Sequence, residues 1–183
     1  MKFVQKEFSS IFEEKKSKFI AYLMPFDRFE VVMSKVKEEH PKARHYVYAY
    51  RYLNEFEQIV ENSSDDGEPK GTSGKPSLAV LAGNELINSA VIIVRYFGGI
   101  KLGTGGLVRA YGDSVNEVIK IATFKEYKKL ITKTLICDYN ELSKLEYLLN
   151  QENITIKNKE FLNQITLTIE LTDEQLEVLK TSN

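Results

Sequence analysis

All ten glycines of this 183-residue chain fall between Gly67 and Gly112, and the sequence on either side has none. Glycine allows backbone conformations and close approaches that other residues resist, so tightly shaped loops are confined to one central segment. Elsewhere the chain must be built from ordinary strands, helices and polar turns. Inside the segment, Ala90–Phe97 reads as an apolar strand at the centre of a sheet. It runs directly into Gly98-Gly-Ile-Lys-Leu-Gly-Thr-Gly-Gly106, and a helix is predicted from about Leu107 to Ala122, burying Leu107, Tyr111, Val115, Val118, Ile119 and Ala122. Strand, glycine loop and helix in that order bring free N–H groups and the positive end of a helix dipole to one point, where anions bind well.

Upstream, Phe3–Leu23 reads as two strands joined by the polar turn Glu13-Glu-Lys-Lys-Ser17. A helix follows, with Asp27 as its cap, Glu30 completing a capping box, a Phe26–Val31 staple, and Phe29, Val32 and Val36 as its buried stripe before Pro41. His45–Leu53 is the next strand, with tyrosines 46, 48, 50 and 52 on one face. Such tyrosines stack bases if the face is open and cover the sheet if a helix lies over it. Glu61–Lys75 is polar and longer than a simple turn, and a short helix is expected from Pro76 to about Leu81.

Composition shifts at the charged connector Lys125-Glu-Tyr-Lys-Lys129. Beyond it the pattern reads strand Thr132–Asp138, helix Leu142–Gln151, strand Ile154–Glu160, strand Gln164–Leu171 and a last helix with Thr172 as cap, Gln175 at its third position and a Leu171–Leu176 staple. This βαββα order is one strand short of a ferredoxin-like unit. Either the domain is incomplete, or its sheet has three strands and one exposed edge.

The chemistry-bearing residues cluster in two stretches. Arg109 falls in the first turn of the predicted helix, where a cation is disfavoured by roughly 0.3–1 kcal/mol. It shares a face with Asp113 and Asn116, so it is expected at the surface. Two readings stand: Arg109, joined by Lys101 and Arg95, meets an anionic partner, or it pairs with Asp65, Asp66 or Glu68 and ties the two glycine segments together. No known phosphate loop fits. Pro69-Lys-Gly-Thr-Ser-Gly74-Lys75-Pro76 has proline at both ends of a Walker-like spacing, and Gly103-Thr-Gly105-Gly106-Leu-Val108 lacks the final glycine of a dinucleotide fingerprint. The trio Asp65, Asp66 and Glu68 has the oxygen chemistry of a Mg²⁺ site, yet carboxylates this close on a Gly/Pro-rich loop more often make turns and helix caps. His45 and His40 are the two histidines, and neither pairs with a hydroxyl nucleophile at a recognisable spacing. His45 is read as a hydrogen-bonded structural group, and no catalytic residue, metal site or cofactor is assigned.

The net charge of −1 gives no global electrostatic footprint, so any nucleic-acid contact must come from a local basic patch. Cys137, the one cysteine, excludes an internal disulfide and sits in an apolar run as a buried thiol. The N-terminus has charges where a signal peptide needs apolar residues, and the longest apolar run, Ala90–Val94, is far too short to span a bilayer. A soluble cytoplasmic protein with no membrane partner is expected.

The stretches Ser64-Asp-Asp-Gly-Glu-Pro-Lys-Gly-Thr-Ser-Gly74 and Arg95-Tyr-Phe-Gly-Gly-Ile-Lys-Leu-Gly-Thr-Gly-Gly-Leu-Val-Arg-Ala-Tyr111 closely resemble the YigZ/IMPACT (UPF0029) family. Ala43-Arg-His-Tyr-Val-Tyr-Ala-Tyr50 resembles the family's histidine-bearing strand and Lys16-Ser-Lys-Phe-Ile20 its opening strand, so the likeness runs from Met1 to about Phe124. Val47 stands where many relatives have cysteine, which argues against obligatory thiol chemistry there. The resemblance implies an α+β fold: an N-terminal sandwich of the ribosomal protein S5 domain 2-like type over residues 1–126, and a ferredoxin-like C-terminal domain over 130–183 that lacks its last strand. The latter is similar to the last two domains of translation factor G. The two-domain layout resembles the bacterial branch. Eukaryotic relatives regulate a translational stress kinase by competing for its activator, a pathway not carried over to this chain.

The expected binding surface comprises His45, Asp65, Asp66, Gly67, Glu68, Gly71, Thr72 and Gly74 from the first stretches. From the second it takes Arg95, Tyr96, Gly98, Gly99, Lys101, Gly103, Thr104, Gly105, Gly106, Arg109 and Tyr111. The leading reading is a binding module acting on RNA, the ribosome or a translation-associated protein. The alternatives are a metal-dependent hydrolase or phosphate-processing enzyme using Asp65, Asp66, Glu68 and His45, and a purely protein-interaction regulator.

Overall fold

A computed structural model describes residues 1–181 and divides them into two compact units, Met1–Tyr127 and a second beginning at Lys128. The first contains a five-stranded antiparallel sheet built from β2 (Phe8–Glu14), β3 (Ser17–Pro25), β4 (His45–Leu53), β5 (Ile59–Ser64) and β6 (Ser89–Tyr96) in the order β2-β3-β6-β4-β5. Helix α1 (Phe29–Glu39) covers one face of the sheet, while α2 (Gly74–Gly83) and α3 (Gly103–Ile121) cover the other. Both faces of β6 are therefore dry. Val91 and Ile93 pack towards α2 and α3, whereas Ala90, Ile92 and Val94 pack towards α1, which is why this strand is apolar throughout. Tyr46, Tyr48 and Tyr50 of β4 pack in the cluster under α1, where Phe29 meets Tyr48 edge-on at 5.2 Å, and Tyr52 stacks on Phe26 just before that helix, so the face is largely roofed rather than an open platform.

Two short strands complete the unit. β1 (Lys2–Val4) pairs antiparallel with β7 (Phe124–Glu126), a strand that the sequence pattern does not announce.

Several local expectations need correction. A 3-10 turn over Phe26–Arg28 precedes α1, whose N-terminus carries no side-chain cap bond, so the Asp27 capping box does not form. Val31 is 55 % exposed and makes no staple; Phe26 instead stacks on Tyr52 at 4.1 Å, a larger apolar contact than the staple offers. Part of the polar stretch after Glu61 is strand: β5 pairs with β4 on one side only and faces solvent, so it needs no apolar alternation. The α2 helix starts at Gly74, two residues before Pro76. The α3 helix starts at Gly103, four residues before Leu107, which moves Arg109 into the second turn and removes the dipole argument made for it.

In the second unit β8 (Ile131–Cys137), α4 (Leu142–Gln151), β9 (Thr155–Phe161), β10 (Ile165–Leu171) and α5 (Asp173–Thr181) follow the βαββα order, with the sheet arranged β8-β10-β9. Ile165, Leu167, Ile169 and Leu171 point into a core that includes Leu149 and Ile154, as strict alternation requires. The Thr172–Gln175 capping box is present: the Thr172 N–H donates to Gln175 Oε1 at 2.8 Å and the Gln175 N–H to Thr172 Oγ1 at 3.2 Å. Cys137 is buried in this core, and burial pushes its thiol above the usual range. No helix among the described residues is long and apolar enough to cross a membrane.

Candidate functional site

Sheet register builds the site's foundation. At the end of β6, Arg95 stands opposite His45 of β4 on one side and Phe19 of β3 on the other. Its guanidinium lies 5.6 Å from the Phe19 ring and 5.8 Å from Phe97, and its Nη1 donates to Glu68 Oε1 at 2.6 Å. The Tyr111 hydroxyl of α3 donates to the same oxygen at 2.8 Å. Arg95, Glu68 and Tyr111 are all buried, so one carboxylate joins the β5–α2 loop, the central strand and the long helix. Burial, with the Glu68 charge beside it, holds the Tyr111 phenol protonated far above its ordinary value. The ion pair weighed for Arg109 is made by Arg95 instead; Arg109 is exposed, with no ion pair among the described residues.

The three carboxylates, alike in sequence, have separate tasks. Asp65 accepts from the N–H groups of Gly71, Ser73 and Gly74 and from the Ser73 hydroxyl, at 2.7–3.1 Å, fastening the loop to the start of α2. Asp66 Oδ2 accepts from the Tyr46 N–H at 2.7 Å, and its carbonyl lies 2.8 Å from His45 Nδ1, fixing the imidazole. Glu68 holds Arg95. The side chains thus diverge onto different partners, and among the described residues no group of three or more His, Cys, Asp or Glu is placed to hold a metal ion. Gly67 packs against His45, and Thr72 closes a turn onto the Pro69 carbonyl at 2.7 Å. Gly74 and Gly98 sit against the backbones of Ser64 and of Lys16–Ser17, where a side chain has no room.

Burial raises the Asp65 carboxyl's affinity for protons, but its four hydrogen bonds outweigh this and hold its pKa below the usual carboxylate range. The stability it contributes is present above the ordinary carboxylate value and is lost as pH falls through the depressed one. Asp65→Asn is therefore expected to cost about 1–2 kcal/mol at neutral pH. The gap to the unmodified protein should close in acid, as urea denaturation at stepped pH would show. A gap that does not change with pH would refute the assignment.

Above the buried triad opens a cleft of about 640 Å³. Of the expected residues it gathers His45, Glu68, Arg95, Tyr96, Lys101, Gly103 and Thr104 on its walls. Asp65, Asp66, Gly67, Gly71, Thr72, Gly74, Gly98, Gly99, Gly105, Gly106, Arg109 and Tyr111 are not among its lining residues. Lys42, Arg44, Phe97 and the apolar floor of Leu102 and Leu107 were not anticipated; the one hint was the basic run Lys42-Ala-Arg-His45 leading into β4. Three cations, Lys42, Arg44 and Lys101, line it beside a single carboxylate, Glu68, which Arg95 and Tyr111 already occupy. Tyr96 extends the wall inwards: its hydroxyl lies 3.0 Å from His40 Nδ1, and His40 Nε2 lies 2.8 Å from the Tyr22 hydroxyl. Burial, followed by the Glu39 and Tyr96 charges, raises the Tyr22 phenol above its ordinary value.

Comparison with known proteins bears on the same residues. The profile of the Impact N-terminal domain matches residues 15–119, and that of a domain of unknown function, DUF1949, matches 135–182. An IMPACT family member of Haemophilus influenzae is 38% identical over 172 residues, covering 91% of this chain and 84% of the relative. The IMPACT family member YigZ of Escherichia coli is 40% identical over 162 residues, covering 87% and 79%. A crystal structure described as that of a hypothetical protein, 34% identical, superposes with a TM-score of 0.66 over 99% of this chain and 89% of its own.

Proposed function

This chain belongs to the IMPACT family, and from that premise we propose a translation-linked binding protein that engages the phosphates of RNA through its basic cleft. The observation that carries the reading is the charge imbalance of the cleft: Lys42, Arg44 and Lys101 line it beside an Arg95–Glu68 pair that neutralises itself, on a chain whose net charge is −1. A local positive concavity on a neutral protein is the footprint of an anionic partner. The link to translation is supported by the family resemblance, whose eukaryotic members act on translational control and whose C-terminal domain is similar to parts of a translation factor. The hydrolase reading would require Asp65 to leave four hydrogen bonds and Glu68 to leave a buried ion pair.

Lys42 and Arg44 are exposed, so replacing them tests the reading without touching the core. Binding of single-stranded RNA, followed by fluorescence anisotropy over a range of salt, should weaken with a slope near −0.7 per neutralised phosphate, or about −2 for three contacts. Lys42→Ala combined with Arg44→Ala should flatten that slope by about 1.4. An unchanged slope in the double variant, or no RNA binding at low salt, would sink the proposal.

A further inference from the structure

We infer that His45 forms a subsite in the cleft for a ribose 2′-hydroxyl, with Nε2 of its imidazole accepting the hydrogen bond. The inference rests on the RNA reading and names the atom by which the cleft tells ribose from deoxyribose.

The hydrogen bonding of the ring fixes which nitrogen carries the proton. His45 Nδ1 lies 2.8 Å from the Asp66 carbonyl, and a carbonyl oxygen only accepts, so Nδ1 is the N–H donor. In the neutral imidazole Nε2 is then a lone-pair acceptor. Packing decides which edge of the ring is open. Gly67 covers the edge that Asp66 holds, where a Cβ would lie 3.4 Å from Nδ1 and 3.6 Å from Cε1. His45 is half-buried and lines the cleft. Among the described residues its Nε2 has no hydrogen-bond partner, yet it is not sealed from solvent. The edge left to the cleft is the one that carries this acceptor.

The surroundings select the group that meets it. Lys42, Arg44 and Lys101 line the same cleft with side chains that only donate, so they serve a ligand's phosphates and offer nothing to its hydroxyls. Glu68 Oε1 is already taken by Arg95 and Tyr111. An open acceptor among cations suits a ligand whose donor sits beside its negative charge. Ribose meets that requirement. Its 2′-hydroxyl donates from the sugar that joins two phosphates, whereas the donors of the bases lie on edges turned away from the backbone. Arg44, the chain neighbour of His45, lines the cleft too, so a cation for phosphate and an acceptor for sugar come from adjacent positions. Phosphate contacts hold RNA and DNA alike; the histidine adds the discrimination that the cations cannot supply.

The test uses fluorescence anisotropy against the full chain. One short single strand is made as RNA and again with fluorine in place of every 2′-hydroxyl, which keeps the phosphates and the sugar pucker but removes the donor. RNA should bind about three- to tenfold tighter, the worth of one hydrogen bond between neutral groups. His45→Asn places an amide N–H where Nδ1 stands, preserving the donor to Asp66, and leaves nothing at the Nε2 position. In that variant RNA should weaken to the level of the fluorinated strand, whose own affinity is unchanged. Equal affinities in the unmodified protein, or a His45→Asn variant that keeps the preference, overturn the subsite and leave the RNA reading intact. A variant that weakens both strands alike assigns His45 to holding the loop, and the subsite is again overturned. If neither strand binds, the RNA reading falls and the subsite falls with it.

Discussion

Glu68→Ala is expected to lower the stability of the N-terminal unit by about 3–5 kcal/mol, because it leaves the Arg95 guanidinium buried without its counter-charge. The same change strips the Tyr111 hydroxyl of its acceptor. Removing one partner of a buried ion pair costs more than the pair itself contributes, since the survivor keeps its desolvation penalty. Glu68→Leu combined with Arg95→Met should therefore recover much of the loss, while Tyr111→Phe alone should cost about 1.5–3 kcal/mol. Urea denaturation of these three variants beside the unmodified protein gives the comparison directly. If the double replacement is as unstable as Glu68→Ala, the loss comes from packing of the loop and the electrostatic account is wrong.

Gly98→Ala should be comparably damaging for a steric reason. A Cβ built at Gly98 lies 2.0 Å from the carbonyl carbon of Lys16, 2.1 Å from its oxygen and 2.4 Å from the Ser17 nitrogen. These are backbone atoms of the turn between β2 and β3, so no side-chain rotation relieves the overlap. Either the turn or the loop into α3 must move, and the Gly98 N–H contact to Ser17 Oγ at 3.2 Å is lost with it. A cost of at least about 3 kcal/mol is expected, at the upper end of overpacking penalties. Gly105→Ala is the matched control: its Cβ meets open space inside a helix, where alanine is favoured over glycine by about 1 kcal/mol. Equal urea midpoints for the two variants would remove the steric argument.

The contrast between these two glycines marks the limit of what the residues disclosed. The sequence shows a glycine cluster after an apolar strand, and hence a shaped loop feeding a helix. It does not show that Gly98 is fixed by a turn some eighty residues earlier, because that contact exists only after β3 pairs with β6. The carboxylates behave in the same way. Asp65, Asp66 and Glu68 look equivalent in a row, and only the position of α3 and β6 makes Glu68 the buried one. Short-range signals read well: the tyrosine alternation of β4, the buried stripe of α1 and the capping box of α5 depend on residues within a few positions of each other. The start of α3 read poorly because glycine is a weak helix former, and the propensity pattern discounts a first turn that packing of Leu102 and Leu107 secures. Lys42 and Arg44 were missed for a topological reason. They precede β4, and only the β4–β6 pairing carries them to the cleft.

The pairing of β1 with β7 has a consequence of another kind. Residues 2–4 lie alongside residues 124–126, and the Tyr127 N–H reaches the Met1 carbonyl at 3.0 Å, so the polypeptide enters and leaves this unit at a single point. A fold closed in this way can be cut out, spliced behind another sequence or opened at a surface turn without dividing its core. Such a unit is portable: recombination can move it whole between genes, and the cleft travels with it because every residue of that cleft lies inside the closure.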